Sequence, residues 1–355
     1  MQKKIRALNS NISINRRSFI KLSAFAGLGI ASTCCIPSGA EAVKIDRKMY
    51  KVSQTKLAMG TFVSMTLIHP SKTEAENAMG KAFEEIARLE KIMTRFNDSA
   101  EVAQLNKNGY IEDSSPEVCE VVGKSLDYYR ISGGVFDISV KPLLDLFDDQ
   151  KVNRGTLPKT TEINRALSLI GADMIRTKGR SIRFGRHGMG ITLDGIAKGY
   201  IVDRASEVLT KNNIKHHLIN AGGDIRTKGA KGQGKPWVIA IQDPHKRGRY
   251  PDIIKMTDGA IATSGNYEVY FAKDKMFHHI VNPSTGLAAS TDTSVSIVSN
   301  TAMDADALST TVFIMDPEKG TSFIESLPGR ECLVLDTKNR TFRSSGWKRH
   351  IDKKA

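Results

Sequence analysis

The stretch DADALSTTVFIM, residues 304–315, predicts the helix around which the rest of the chain is arranged. Residues four apart on a helix lie on one face, so the Asp306 carboxylate and the Thr310 hydroxyl converge on one point. Two hard oxygens at this spacing suit Mg²⁺, which binds one or two protein carboxylates together with substrate phosphates and water. The alternative is a solvated helix N-terminus, with Asp304 or Asp306 as its N-cap and Thr310 merely packed. In either case the Asp306 carboxylate is expected at the protein surface.

A second polar junction lies upstream of this helix. Residues 191–193 predict a strand, Asp194 and Gly195 predict a turn, and the apolar spacing over residues 196–209 predicts a helix. A strand that passes through a glycine turn into a helix N-terminus offers backbone N–H groups to a phosphate and a carbonyl to a metal.

The remaining patterns mix strands and helices without a regular βαβ rhythm, which favours an α+β fold. Residues 57–68 alternate as one strand, in which Gly60 marks a bulge or a close backbone approach. A capping box at residues 71–74 starts a helix that ends near residues 97–99, and Ser115-Pro116 starts another that ends at Gly133-Gly134. Residues 175–184 predict a hairpin, and the polar segment 148–161 is the candidate internal boundary. Further strands are predicted at residues 217–220, 237–242, 260–264, 293–298 and 332–336.

Composition is that of an ordinary globular protein: the chain has 355 residues, of which 40% are hydrophobic and 25% charged. This length suffices for one large or two modest domains. Part of the net charge of +14 lies in the first 42 residues, which hold six Lys or Arg and one Glu. No basic motif interleaved with aromatic residues occurs, so the charge favours solubility and weak attraction to anionic surfaces over a nucleic-acid module.

The N-terminus resembles a twin-arginine export signal. NRRSFIK at residues 15–21 precedes an apolar, glycine-rich run at 22–36 and a small-residue segment, PSGAEA, at 37–42. The run is short for a membrane span, so residues 1–42 are interpreted as a cleaved signal peptide and 43–355 as the mature domain, with no stable membrane span. The alternatives are an uncleaved anchor and a lipid anchor. Beyond the leader only Cys119 and Cys332 remain, too few for a disulfide scaffold or a metal cluster.

Seven segments together resemble one family, the flavin transferases of the ApbE type. They occur in family order from about residue 55 onward, which makes the combination specific although no single piece is. The segments are AMGTFVSM (58–65), SGGVFDISVKPL (132–143), LDGIAKGYIVDRA (193–205), LINAGGDI (218–225), AIATSGNYE (260–268), HIVNPSTG (279–286) and ADALSTTVFIM (305–315). The resemblance implies mixed or antiparallel sheets with flanking helices, a T-fold-like architecture.

Site residues follow from this resemblance position by position. It implies that Asp306 and Thr310 bind Mg²⁺ through their side chains and Gly195 through its backbone carbonyl. The family often has Asp where Thr192 stands, with Asp194 two residues further on, so the ligand contact falls to one of these two. A Tyr is common where this chain has Phe96. The residues implied to line the FAD site are Met59, Phe96, Val135, Phe136, Asp137, Lys198, Ile280 and Ser309.

The chemistry implied by the resemblance is phosphoryl transfer. A target hydroxyl attacks the FMN-side phosphorus of FAD, AMP leaves, and Mg²⁺ with Lys198 stabilises the developing charge. A base near the hydroxyl contributes ~10²- to 10⁴-fold; His279 is the first candidate and Asp306 the second. The alternatives are structural: His279 bonded to backbone, Lys198 solvated at the surface, and Asp137 as a cap of the segment at Pro142.

The function expected from these implications is Mg²⁺-dependent transfer of FMN from FAD to a Thr or Ser of a target flavoprotein. The target would belong to a membrane or periplasmic redox system, and the protein would be periplasmic, with inner-membrane association as an option. One alternative is an FAD pyrophosphatase that releases FMN and AMP. Another is a flavin-binding protein without turnover.

Overall fold

The computed structural model of the protein describes residues 40–45, 48–149, 158–244, 250–265, 280–287, 294–336, 338 and 340–351. Most of the predicted signal peptide, most of the predicted boundary at 148–161, and His279 therefore lie outside the described residues. The division into a signal peptide and a mature domain stays a prediction.

The described strands, in chain order, fall into one large sheet and two small ones. They are β1 Glu41–Lys44, β2 Tyr50–Ala58, β3 Thr61–His69, β4 Tyr110–Ile111, β5 Ile175–Lys178, β6 Ser181–Phe184, β7 His216–Ala221, β8 Asp224–Lys228, β9 Trp237–Ala240, β10 Ile253–Met256, β11 Gly259–Gly265, β12 Ser294–Ser299, β13 Glu331–Leu335 and β14 Thr341–Arg343. The large sheet has the order β1-β2-β3-β7-β8-β11-β12-β13-β14, and neighbouring strands in it are antiparallel.

The described helices, in chain order, are α1 Lys72–Met93, α2 Glu101–Asn108, α3 Pro116–Ile131, α4 Lys141–Asp149, α5 Thr160–Leu167, α6 Ala197–Lys211, α7 Ala302–Ile314 and α8 Pro317–Glu325. The mixture of antiparallel strands and helices confirms the predicted α+β class. None of the helices in this part of the chain combines the length and apolar composition needed to cross a bilayer.

The two faces of the large sheet are covered differently. Helices α1, α6 and α7 pack on one face, where Met79, Ile86 and Leu308 belong to the main core. The β9–β10 ribbon covers the other face, with Trp237 and Trp347 in a second core cluster. The large sheet is therefore buried on both sides, and α6 and α7 lie side by side over its middle.

The single strand predicted over residues 57–68 is wrong, because the chain reverses within it. Strands β2 and β3 form a hairpin whose two-residue turn is Met59-Gly60, with φ of 52° and 68°. Two positive φ values in succession are typical of a tight hairpin turn that matches strand twist. Met at the first turn position gives no Asn-Gly signal, so the apolar alternation runs through the turn undetected.

The predicted start of α1 is confirmed, but its predicted end is not. Ser71 caps the helix by accepting a hydrogen bond from the Glu74 N–H at 3.3 Å. The helix ends at Met93, where Thr94 is already extended, several residues before the predicted stop at 97–99. The helix from Pro116 and the hairpin of β5 and β6 are also confirmed. Residues 191–193, predicted as a strand, instead form an irregular segment that leads into α6.

Candidate active site

A cleft with about 830 Å³ of empty volume, part of it open to solvent, lies where the N-terminus of α6, the middle of α7 and the ends of β8 and β11 meet. The structure brings most of the predicted site residues to its walls. The predicted residues that line it are Val135, Phe136, Asp137, Thr192, Asp194, Gly195, Lys198, Ile280, Asp306 and Thr310.

Asp306 lies at the base of the cleft, in the middle of α7. Its Oδ2 accepts a hydrogen bond from the Gly199 N–H at 2.9 Å, in the first turn of α6. Ile196, the N-cap of α6, makes no side-chain cap bond, so the carboxylate from α7 satisfies one of the open N–H groups. The positive end of the α6 dipole favours an anion at this place. Asp306 is only 5% exposed, so its predicted position at the surface is wrong.

A second buried acid, Asp224, lies against Asp306 and was missed by sequence analysis. It is 1% exposed at the start of β8, and its Oδ2 lies 3.3 Å from the Lys198 Nζ. Burial and the neighbouring Asp224 carboxylate raise the pKa of Asp306 well above its usual range. Burial also raises the pKa of Asp224, while Lys198 opposes the rise. The sequence signal was available: an acid directly after the Gly222-Gly223 turn of a buried strand.

Lys198 points into the cleft instead of lying free at the surface. Its side chain is 28% exposed, and it forms an ion pair with the buried Asp224. The alternative of a solvated surface lysine is therefore wrong. A half-buried cation at the mouth of a cleft can bind an anionic group such as a phosphate.

Hydroxyl groups line the cleft beside Asp306. Thr310 Oγ1 lies 3.5 Å from Ser264 Oγ, which in turn lies 2.8 Å from Ser309 Oγ. Gly195 lies directly against Thr310, since a Cβ built on Gly195 would be 3.2 Å from Thr310 Oγ1. Gly195 and Thr310, two of the three residues predicted to share an ion, are therefore neighbours, and the third, Asp306, lies one turn before Thr310 on α7. Ser264 was not predicted as a site residue.

Asp137 is a structural cap that also lines the cleft. Its Oδ1 accepts from the Ser139 N–H at 2.7 Å, and its Oδ2 accepts from the Ala172 N–H at 3.2 Å. It thus caps the short 3₁₀ turn Ile138–Val140 and fixes the wall of the cleft. The alternative of a capping role is realised, while a contact with a ligand stays a prediction.

Thr192 and Asp194 both reach the cleft wall, so the structure does not choose between them. Thr192 is buried and its Oγ1 accepts from the Asp194 N–H at 3.2 Å. The Asp194 side chain is 40% exposed and pairs with the Arg95 Nε at 3.2 Å. Thr192 therefore shapes the turn, and Asp194 holds a guanidinium at the rim.

Three of the residues that the resemblance assigns to the FAD site do not line the cleft as the structure has it. Ser309 is buried behind it, where its hydroxyl donates to the Asp306 carbonyl oxygen at 3.0 Å. Met59 lies in the β2–β3 turn, and its N–H donates to Glu90 at 2.9 Å. Phe96 is 76% exposed, with the Arg95 guanidinium 4.2 Å above its ring. Phe96 thus offers an open aromatic face at the end of α1.

The alternative of Asp304 or Asp306 as the N-cap of α7 is wrong. Thr301 is the N-cap, and its Oγ1 accepts from the Asp304 N–H at 3.2 Å. Both oxygens of Asp203, on α6, accept from the first two N–H groups of α7 at 2.9 Å. Asp304 instead points away from the cleft, to the Tyr128 hydroxyl and to Arg330.

The residues at the base of the cleft fit a hard divalent cation. No group of three or more His, Cys, Asp or Glu that could hold a metal occurs among the described residues. A cation here would instead use carboxylate, hydroxyl and backbone oxygens, which are the ligands that Mg²⁺ prefers. Asp224 Oδ2 is buried and pairs with Lys198 Nζ at 3.3 Å, but it accepts no hydrogen bond of normal geometry from the described residues, and this observation favours a missing cation.

Comparison with known protein families matches the ApbE family over residues 59–334. The chain belongs to the ApbE family. An ApbE protein from Thermotoga maritima is 29% identical and superimposes with a TM-score of 0.76 over 85% of this chain and all of that one. The flavin transferase ApbE from Vibrio cholerae gives 25% identity and a TM-score of 0.72 over 88% of this chain and all of its own. A FAD:protein FMN transferase from Treponema pallidum is 26% identical over 336 residues, 88% of this chain and 92% of that protein.

The similarity to these relatives covers the fold as well as the sequence. The ApbE match begins at Met59, in the β2–β3 turn, and ends within β13, so it spans every wall of the cleft that the structure describes. Resemblance to this family, inferred from seven short segments, is confirmed.

Proposed function

We propose that this protein is a Mg²⁺-dependent FAD:protein FMN transferase, which moves FMN from FAD onto a Thr or Ser hydroxyl of a target redox protein and releases AMP. The observation that carries the proposal is the meeting of Asp306, Thr310, Lys198 and Gly195 in one cleft. Curated relatives named FAD:protein FMN transferase support the reaction class. The cleft also has an apolar wall, from Val135, Phe136 and Ile280, on which a flavin or adenine ring can lie.

Bound Mg²⁺ would neutralise the pyrophosphate oxygens and so favour attack at phosphorus. Asp306 and Thr310 would hold the ion with the Gly195 carbonyl, and the Gly199 N–H fixes the orientation of the Asp306 carboxylate. Lys198 binds a phosphate oxygen and stabilises charge on the leaving AMP. His279, which lies outside the described residues, is proposed to remove the proton of the target hydroxyl.

The test replaces Asp306 and compares it with a neighbour on the same helix. Asp306→Asn keeps an oxygen that can accept from Gly199, so the fold is expected to persist. The rate of FMN transfer should fall by more than about a hundredfold, which exceeds the usual loss of activity when a residue that only orients a metal ligand is changed. Asp304→Asn is the matched control, because Asp304 faces Tyr128 and Arg330.

The measurement is the intact mass of an acceptor, a periplasmic flavoprotein domain from the same organism, after incubation with FAD and Mg²⁺. Wild type and Asp304→Asn should add one FMN to the acceptor. Undiminished transfer by Asp306→Asn would refute the metal assignment. Release of free FMN and AMP with no mass added to the acceptor would favour a pyrophosphatase. FAD binding without any product would favour a binding protein.

Export through a twin-arginine pathway to the periplasm is the second part of the proposal. Its support is the paired Arg16 and Arg17 ahead of a short apolar run. Glu41 and Ala42 pair with Ser53 and Val52 in the large sheet, so cleavage after Ala40 would preserve β1, whereas cleavage after Ala42 would remove half of it. The mature protein is therefore expected to begin at Glu41, two residues before the start at 43 that the sequence predicted, and its intact mass would distinguish the two. Unchanged export after replacing both arginines with lysine would contradict the pathway.

A further inference from the structure

Asp224 is a buried acid whose described neighbours leave one carboxylate oxygen without a hydrogen bond. It is 1% exposed and lines the cleft beside Asp306. Its Oδ2 lies within ion-pair distance of Lys198, but no group in the part of the chain that the structure describes satisfies hydrogen-bond geometry to that oxygen. Leaving a buried carboxylate oxygen without a hydrogen bond is costly, so such an oxygen in a native fold calls for a partner.

The charges around Asp224 do not balance either. Asp224 and Asp306 are both buried and line the same cleft, and among the described residues Lys198 is the cation that forms an ion pair there, with Asp224. With both acids ionised, the charges of the described residues at this buried place would be two negative and one positive. Such a pair must either hold a proton or take up a cation. The supply of oxygen ligands on α7 and at Gly195 favours a cation.

We propose that Asp224 is the second carboxylate of the cation site formed by Asp306 and Thr310. The site would then take oxygens from β8 as well as from α7, and a hard divalent ion would balance both acids while leaving Lys198 available to an anionic substrate. This inference rests on the proposed function. It goes beyond the predicted ligand set, which contains a single carboxylate.

The structure also suggests a competing explanation, in which Asp224 acts only by holding Lys198 in place. The two explanations differ when Lys198 is removed. A role limited to Lys198 disappears once the lysine is gone, whereas a role at the cation does not. A double-mutant cycle measures this difference directly.

The experiment measures Mn²⁺ binding by calorimetry or electron paramagnetic resonance, without FAD, for wild type, Asp224→Asn, Lys198→Met and the double variant. Asp224→Asn should weaken Mn²⁺ binding by about tenfold or more. Lys198→Met should not weaken Mn²⁺ binding, because it removes a positive charge that repels the cation. The double variant should bind Mn²⁺ more weakly than Lys198→Met by a similar factor. Wild-type affinity in Asp224→Asn, or a double variant equal to Lys198→Met, would overturn the proposal.

A matched control is available elsewhere in the fold. Asp336 is also a buried acid at the end of a strand and pairs with a basic residue, Arg340, at 2.7 Å, but it does not line the cleft. Asp336→Asn should leave Mn²⁺ affinity unchanged. Thermal unfolding of each variant checks that it folds. If Asp224→Asn alone folds poorly because Lys198 has lost its partner, the double variant can still be compared with Lys198→Met, since it removes the whole ion pair.

Failure of this inference can be told apart from failure of the proposed function. If wild type binds no Mn²⁺, the metal dependence itself is wrong. If wild type binds Mn²⁺ and Asp306→Asn loses it while Asp224→Asn keeps it, the cation site stands with one carboxylate and only the role of Asp224 is refuted.

Discussion

Gly199 lies at a close contact between α6 and α7 beside the site. A Cβ at this position would lie 2.3 Å from the Ala302 carbonyl oxygen and 2.8 Å from the Asp306 Cβ. The first of these neighbours is backbone, which cannot rotate away. The absence of a side chain thus allows the Gly199 N–H to reach the Asp306 carboxylate. The packing of α6 against α7 and the geometry of the site therefore both depend on the absence of a Cβ at Gly199.

Gly199→Ala is therefore expected to destabilise the protein by about 1–3 kcal/mol, the usual cost of overpacking a core. It should also weaken Mn²⁺ binding, because the two helices must move apart. Gly80→Ala is the control: this glycine lies within α1 with no atom within 4 Å of the added Cβ. That change should raise stability by up to about 1 kcal/mol through helix propensity. Chemical denaturation of both variants tests the prediction, and a neutral Gly199→Ala would contradict it.

At the scale of elements, the β2–β3 turn holds Met59, which the resemblance assigns to the FAD site, in an unfavourable backbone conformation. Met59 has φ of 52°, a conformation that costs a non-glycine residue energy and that Asn tolerates better. Strain of this kind persists where the surroundings enforce it, and it is common at functional sites. The structure places Met59 at the turn but not on the wall of the cleft.

Met59→Asn separates these two roles. If Met59 is only a turn residue, Asn-Gly should stabilise the hairpin by some tenths of a kcal/mol and leave FAD affinity unchanged. We expect Met59 also to contact FAD, as the resemblance implies. Met59→Asn should therefore raise the stability of the protein and lower its affinity for FAD. Denaturation and FAD titration by fluorescence measure the two effects. Unchanged FAD affinity would remove Met59 from the flavin site.

At the scale of the whole molecule, a buried histidine links α6 to the large sheet and makes stability depend on pH. The His217 side chain is fully buried; its Nδ1–H donates to the Ile214 carbonyl and its Nε2 accepts from the Ser206 hydroxyl at 2.7 Å. Burial lowers the pKa of His217 to about 4. Asp203 acts in the opposite direction, because burial raises the pKa of this carboxyl to about 6.

The sign for His217 follows from proton uptake. Between pH 6.5 and about 4 the unfolded chain binds a proton that the folded chain does not, so stability falls as the pH falls through this window. The full loss is about 3 kcal/mol, at 1.36 kcal/mol for each pH unit. His217→Gln should flatten the stability curve between pH 7 and 4 relative to wild type, and the comparison cancels the contribution of Asp203. Parallel curves for the two proteins would contradict the assignment.

The cleft itself exists only at this largest scale, because its walls come from six separated parts of the chain. Local patterns predicted the Ser71 cap, the start of α3 at Pro116, the hairpin of β5 and β6, and the helix that carries Asp306 and Thr310. Each of these depends on residues close together in sequence. The same patterns gave no sign of the Met59-Gly60 reversal, since a Met carries no turn signal.

The sequence by itself therefore determined the α+β class, the family and most of the residues around the cleft, because capping, periodicity and segment order are local properties. Only the tertiary structure decided that Asp306 is buried, that α6 donates an N–H to it, and that Asp224 lies beside it. Burial and charge pairing depend on residues about 80 to 110 positions apart, and no local pattern records which of them will meet. The physical reason is that the fold, and not the helix, sets the dielectric and the partners of a carboxylate.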